Sequence, residues 1–253
     1  MTLANEELDR YARHIVLKEV GGTGQVRLKQ ATVVVIGAGG IGAPAIQYLA
    51  AAGIGRLVVI DDDTVELSNL QRQTIFATGD IGFAKAETAA AAAERLNPHV
   101  TADSRLIRVT SANAAELMAG ANVVLDGCDN FATRLAAADA ALRLRIPLVS
   151  AAVGQFEGQL AVYRGWEPDK PCYRCFVGDA TDQADTSCAE AGVLGPVTGV
   201  LGSLAALEAI RAITPFGDDP AGKLLLIDTL GWRFRTIGLP KDPGCPACGQ
   251  TPA

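Results

Sequence analysis

A β-branched run, a cluster of glycines and a second β-branched run ending in acid restrict what this chain can fold into. The segment is "VVVIGAGGIGAPAIQYLAAAGIGRLVVIDDD", residues 33–63. It predicts a strand over 32–36, a turn through Gly37, Gly39, Gly40 and Gly42, a helix over about 41–52 and a strand over 57–61 closed by Asp61. This is the pattern of a dinucleotide-binding βαβ unit. Gly37 permits a tight turn, Gly39 and Gly40 let backbone N–H groups approach phosphate, and Gly42 lets the helix pack closely on the strand. The positive end of the helix favours an anion. Asp61 is placed to accept hydrogen bonds from ribose hydroxyls. The plain alternative is a loop that only packs helix on strand. The pattern does not separate NAD from other nucleotides, since all of them offer ribose and phosphate.

The alternation continues beyond this unit. A helix is predicted over 5–18, a break over 21–25, a helix over 84–95 and a strand over 102–107. A short helix over 111–118, a strand over 122–125, a helix over 130–143 and a strand over 147–151 follow. Alternating elements of this kind predict an α/β fold, a Rossmann-like, mostly parallel sheet covered by helices. After residue 150 the character changes. Residues 154–164 read as a hairpin or extended pair, 165–191 as loop, 192–212 as an apolar helix, and 223–228 and 232–238 as strands that extend the sheet in antiparallel fashion. With no long linker, residues 1–253 are expected to form a single domain, 1–150 being the nucleotide-binding half and 151–253 a continuation of the same sheet.

Net charge is −6, which gives no bulk attraction to nucleic acid or to an anionic membrane. The start, "MTLANEELDRYARH", has no apolar signal core, so a cytoplasmic location is expected. The most membrane-like stretch, 191–213, is interrupted by one Pro, four Gly and Glu208, and reads as a buried helix.

Two regions carry charge beside the expected nucleotide. "DTVELSNLQRQ" (63–73) places Asn69, Gln71, Arg72 and Gln73 just past the ribose end, and Lys85 opens the next helix. Two fixed cations near a polyphosphate suit phosphoryl-type transition states, in which charge builds on non-bridging oxygens; hydride transfer needs no such clamp. Each cation taken alone is also what a solvated surface looks like. "LDGCDN" (125–130) ends a third strand, at the sheet edge where ligands bind. Asp126 or Asp129 could hold Mg²⁺ there, and Asp129 or Asn130 could equally cap a helix.

There are six cysteines. "PCYRC" supplies Cys172 and Cys175, and "GCPACGQ" supplies Cys245 and Cys248. Two C-x-x-C pairs predict one closed tetrahedral S₄ site holding structural Zn²⁺, which pins the tail to a loop of the second half. Cys188 falls in a polar loop before the apolar helix, where a thiolate would gain from the helix N-terminus. Cys128, at a strand end, reads as packing.

With these residues in place the sequence resembles the MoeB, ThiF and HesA adenylyltransferases of the ubiquitin-activating-enzyme superfamily, the MoeB pattern most of all. The resemblance runs from "LDRYARHIVL" to "GCPACGQ" and rests on "GAGGIG", "SNLQRQ", "CDN", "PCYRC" and "CAEAGVLGPVTGVLGSLAALEAI" in combination. It implies ATP and Mg²⁺ as cofactors, with structural Zn²⁺. It implies adenylation of the C-terminal carboxylate of a small ubiquitin-like sulfur carrier ending in Gly-Gly, giving an acyl-adenylate and pyrophosphate. Thiocarboxylate formation would follow, for molybdopterin, thiamine or tRNA thiolation. The second half, 151–253, would then bind the carrier. With the sequence ending just past the last cysteine pair, sulfur is expected from another protein, such as a cysteine desulfurase or a rhodanese.

The implied nucleotide contacts are Gly37, Gly39, Gly40, Gly42, Asp61, Ser68, Asn69, Leu70, Gln71, Arg72, Lys85, Asp129 and Asn130. Arg72 and Lys85 would stabilise charge at the α-phosphorus, and Asp129 would organise Mg²⁺. Arg13 would reach the site of the partner in a homodimer, and Cys188 aligns with a cysteine that joins the sulfur steps of some relatives. One departure is Asp62 in "IDDD", where relatives usually carry an apolar or aromatic residue. A non-catalytic carrier-binding scaffold and an NAD-dependent oxidoreductase stand as the alternatives.

Overall fold

In the computed structural model, which describes residues 2–178 and 192–249, β-branched runs pair side by side into one sheet. Strands β1 (Thr32–Ile36), β2 (Arg56–Ile60), β3 (Thr101–Arg105), β4 (Val123–Asp126) and β5 (Leu148–Val153) are parallel. Strands β6 (Glu157–Tyr163), β7 (Lys223–Asp228) and β8 (Arg233–Gly238) extend it in antiparallel pairing. The order is β3-β2-β1-β4-β5-β6-β7-β8. The chain leaves β1 towards β2 and later returns on the other side of β1 as β4. That reversal opens a crevice at the carboxyl ends of β1 and β4, where doubly wound sheets bind ligands.

The central strands are buried on both faces, and alternate residues serve separate cores. Val33, Val35, Leu57, Val59 and Leu125 belong to one, and Val34, Ile36, Val58, Ile60 and Val124 to the other. The first core is closed by helices α4 (Gly42–Ala51), α5 (Lys85–Leu96) and α9 (Gly195–Ile213). The second is closed by α6 (Ala114–Leu117) and α7 (Phe131–Leu144). Helix α9 is, among the described residues, the one helix long and apolar enough to cross a membrane by length and composition. In the fold its Val197, Leu201, Ala205 and Ala209, four residues apart, form a buried stripe in the first core.

Four predicted elements need correction. The helix expected over 5–18 is two short ones, α1 (Asn5–Arg10) and α2 (Ala12–Ile15). Tyr11 departs from helical geometry between them, its ring buried and its hydroxyl accepting from Asn97 Nδ2 at 2.8 Å. The break expected at 21–25 begins a helix instead, α3 (Gly21–Gln30). Tertiary burial overrides glycine's poor helix propensity here: Leu28 is fully buried, and Gln25 donates to the Ala52 carbonyl at 2.8 Å. The stretch expected as loop from 165 contains α8 (Tyr173–Val177). The predicted hairpin over 154–164 is a single strand, β6, whose partners are β5 and β7.

Leu201 is fully buried in the first core. Leu201→Ala is expected to lower unfolding free energy by about 2–5 kcal/mol, measured by urea denaturation. A loss below about 1 kcal/mol would place α9 outside that core.

Candidate active site

The crevice is built on a backbone approach that side chains would forbid. Gly37 has a φ of +85°, and a Cβ on residue 42 would stand 1.8 Å from the Gly37 carbonyl oxygen. Only glycine at both positions lets α4 start directly above the end of β1. Asp61, at the end of β2, ties this turn down. Its Oδ2 accepts from Ala38 N–H at 2.7 Å and its Oδ1 from Asp63 N–H at 2.9 Å. Burial pushes its carboxyl above the ordinary value, against the opposing pull of those two N–H donors and of Lys85. A cleft of about 660 Å³ opens over the turn, walled by Gly37, Gly39, Gly40, Asp61, Asn69, Arg72, Lys85 and Asp129 among others.

The segment after β2 folds as a 3₁₀ turn (Leu67–Asn69) running into further turns. Asn69 Oδ1 accepts from Glu66 N–H at 3.1 Å. The turn brings residues three and four apart to one side, so Asn69, Arg72 and Gln73 face the cleft. Ser68 and Gln71 are exposed away from it, and Leu70 packs on the core. Arg72 Nη1 donates to the Ser68 carbonyl at 2.9 Å. Lys85 is the first residue of α5 and is buried, a poor place for a cation at a positive helix end. Its Nζ pairs with Asp63 Oδ2 at 2.9 Å, and its N–H donates to the Asp63 carbonyl at 3.0 Å.

At the end of β4 the two aspartates separate. Asp126 is fully buried and saturated by Ser150 Oγ at 2.9 Å, Cys128 N–H at 3.1 Å and Cys128 Sγ at 2.8 Å. Asp129 is exposed at the rim, with no hydrogen bond or ion pair among the described residues. Its free carboxylate fits a hydrated Mg²⁺, which binds through one or two carboxylates and substrate phosphates. Asn130 lines the cleft and also caps α7, its Oδ1 accepting from Thr133 N–H at 2.9 Å. Arg13 is exposed on α2 and does not line this chain's cleft. Cys188 lies outside the described residues.

The four paired cysteines gather across the second half. Their sulfurs lie within 4.8 Å of one another, with Cys172–Cys175 at 3.9 Å, Cys172–Cys245 at 3.5 Å and Cys175–Cys248 at 3.3 Å. A tetrahedron of sulfurs about 2.3 Å from zinc has edges of about 3.8 Å. The set therefore fits Zn²⁺ with little movement. Asp242 N–H already donates to Cys175 Sγ at 3.4 Å, the type of outer bond that steadies a thiolate ligand.

Three comparisons with known proteins agree with this geometry. The ThiF family model matches residues 11–247. The SAMP-activating enzyme E1 of Haloferax volcanii is 46% identical over 251 residues, covering 99% of this chain and 92% of that protein. The sulfur carrier protein adenylyltransferase of Thermus thermophilus is 46% identical over 258 residues, covering 100% of this chain and 94% of that protein. The chain belongs to the ThiF family. Among solved structures, E. coli MccB with MccA-N7isoASN shares the fold at a TM-score of 0.84 and 22% identity, covering 97% of this chain and 76% of that one.

This ThiF-family chain is an adenylyltransferase, which sets aside the oxidoreductase and scaffold alternatives. Of two further cleft residues, the sequence places Gln73 in the polar cluster beside the nucleotide without assigning it a contact, and gives no sign of Thr198. Gln73 is buried beside Gly39, and its Oε1 has no hydrogen-bond partner among the described residues. Its place in "SNLQRQ", four residues after Asn69, was the available signal. Thr198 of α9 is packed against Gly40 and donates to the Gly195 carbonyl at 2.7 Å; nothing local in the sequence points to it.

The protein is expected to hold one Zn²⁺ per chain. Cys245→Ser should lose it and lower the melting temperature, because metal binding contributes to folding free energy. Elemental analysis and calorimetry check this; unchanged zinc content and melting temperature would contradict it.

Proposed function

We propose that this adenylyltransferase activates the C-terminal carboxylate of a small ubiquitin-like sulfur carrier ending in Gly-Gly. The carrying observation is one cleft whose wall holds the glycine turn, Arg72, Lys85 and the exposed carboxylate of Asp129. The names of the Haloferax and Thermus relatives support the choice of carrier.

ATP would lie with its phosphates over the Gly37–Gly42 turn and its ribose towards Asp61. Asn69, Arg72 and Lys85 would bind the polyphosphate. The Lys85–Asp63 pair holds the ammonium at the cleft wall, and the exposed Asp63 can yield it to phosphate. Asp129 would hold Mg²⁺, which supplies charge neutralisation on the phosphates when bound.

The carrier carboxylate oxygen then bonds to the α-phosphorus, and the bond from that phosphorus to the β-phosphate oxygen breaks. The products are the acyl-adenylate and pyrophosphate. Negative charge builds on the non-bridging and leaving oxygens, where Arg72 and Lys85 stand. Preorganised cations are worth most at such a point. Arg13 of a second copy would complete the site in a homodimer, and residues 151–253 would carry the carrier. A cytoplasmic cysteine desulfurase or rhodanese would then supply the sulfur for the thiocarboxylate, for molybdopterin, thiamine or tRNA thiolation.

Arg72→Ala and Lys85→Ala are each expected to slow carrier–adenylate formation at least about a hundredfold with the fold intact. Mass spectrometry of the carrier and circular dichroism of the enzyme check this. Adenylation at the wild-type rate by both variants would remove these residues from the mechanism.

A further inference from the structure

The cleft continues past Asp61, and the strand order gives its direction. The glycine turn stands at the end of β1, Asp61 follows β2, and β3 lies on the far side of β2. The Asp61 N–H donates to the carbonyl of Arg105, the last residue of β3, at 3.1 Å. A nucleotide with its phosphates over the turn and its ribose at Asp61 therefore sends its base towards the segment after β3. There the cleft wall is made by Asp62, Ile107, Arg108 and Val109.

That segment is braced along its backbone. Val109 is buried in the second core, and its carbonyl accepts from Thr133 Oγ1 at 3.2 Å. Asn113 Nδ2 donates to the Arg108 carbonyl at 2.9 Å, and Asn113 Oδ1 accepts from the Thr110 N–H at 2.7 Å. From this fixed backbone the Arg108 side chain crosses to the loop after β2, where its Nε pairs with Asp62 Oδ2 at 2.9 Å. The two side chains are 64% and 39% exposed, and an ion pair so open to water adds little to stability. Its consequence is geometric, since a planar guanidinium gripped at Nε has its plane restrained. Ile107, itself exposed, adds an apolar surface beside it.

Charge argues against phosphate as the ligand of Arg108, because Asp62 already offsets that cation and would repel an anion. A flat, weakly hydrated cation next to an apolar side chain instead suits the face of a base; guanidinium planes stack on bases much as aromatic rings do. A purine offers the larger face. We propose that Arg108 is the stacking surface of a nucleobase subsite that favours purine over pyrimidine nucleotides, with Asp62 as its positioning residue. The proposal rests on the reading of the cleft as a nucleotide site.

The test uses the full chain without carrier, so that no adenylate forms. Binding of α,β-methylene-ATP, α,β-methylene-CTP and inorganic tripolyphosphate, each with Mg²⁺, is measured by calorimetry, and circular dichroism checks the fold of each variant. The wild type is expected to bind the adenine analogue about tenfold more tightly than the cytosine one. Arg108→Ala should bring that ratio to within about twofold by weakening the adenine analogue, and leave tripolyphosphate affinity within about twofold of wild type. Arg108→Lys keeps the charge, loses the plane and should match Arg108→Ala. Asp62→Ala should narrow the ratio without weakening tripolyphosphate, since it removes only negative charge.

A wild-type ratio in Arg108→Ala or in Arg108→Lys overturns the stacking role. So does an equal loss of all three ligands, the mark of a general electrostatic or structural part. A wild-type ratio in Asp62→Ala overturns the positioning role. Equal binding of the two nucleotide analogues by the wild type overturns the subsite and leaves the reading of the cleft standing. No binding of any of the three by folded wild type overturns the reading of the cleft, and the subsite with it. Should Arg108→Ala fail to fold, Arg108→Lys decides.

Discussion

The contact between the Gly37 carbonyl and the start of α4 is the constraint on which the site depends. Residue 42 has no room for a Cβ, and residue 37 needs a left-handed backbone. Together they bring the N-terminus of a ten-residue helix onto the end of β1, next to the crevice where the chain reverses towards β4. The carboxylate of Asp61 fixes the turn through Ala38 N–H from one side. Helix α9 closes it from the other through Thr198 against Gly40. A substitution in this turn would act on the site and on the fold at once.

An acidic chain lines this crevice with four cations, Arg72, Lys85, Arg108 and Arg134, and each is held in a different way. Arg72 hangs from its own turn through the Ser68 carbonyl. Lys85 is buried at a helix start and depends on Asp63, an exposed partner on the preceding loop. Asp62, the departure in "IDDD", lines the cleft together with Asp61 and Asp63 and pairs there with Arg108 at 2.9 Å. The extra acid thus has its own counter-ion in the cleft wall. Arg134 is buried like Lys85, with the Cys128 and Ala151 carbonyls and Asp126 as its acceptors.

The parallel half of the sheet was legible because β1, β2 and β4 are short, largely β-branched runs and the elements alternate; β3, Thr-Ala-Asp-Ser-Arg, carries no such run, yet each parallel strand falls within two residues of its expected bounds. The S₄ site was legible because paired C-x-x-C spacing leaves few other uses for four thiols. What stayed hidden depended on contacts distant in sequence. Helix α3 starts on glycines and is held by Gln25 and Leu28 against the body of the protein. The turn over 67–73 exposes Ser68 and Gln71 and turns Asn69, Arg72 and Gln73 inward, a phase that no periodicity announces. Asp126 and Asp129 look alike at a strand end, and only burial separates the saturated one from the free one. Thr198 reaches the glycine turn from the far half of the chain.

The central claim is carrier-dependent adenylation, and exchange of labelled pyrophosphate into ATP tests it most directly. Exchange is predicted when a Gly-Gly-ended ubiquitin-like carrier is present, and is predicted to vanish when the carrier's last two glycines are removed. Folded, zinc-loaded protein that exchanges label without any carrier, or with none of the Gly-Gly-ended carriers supplied, would contradict the account.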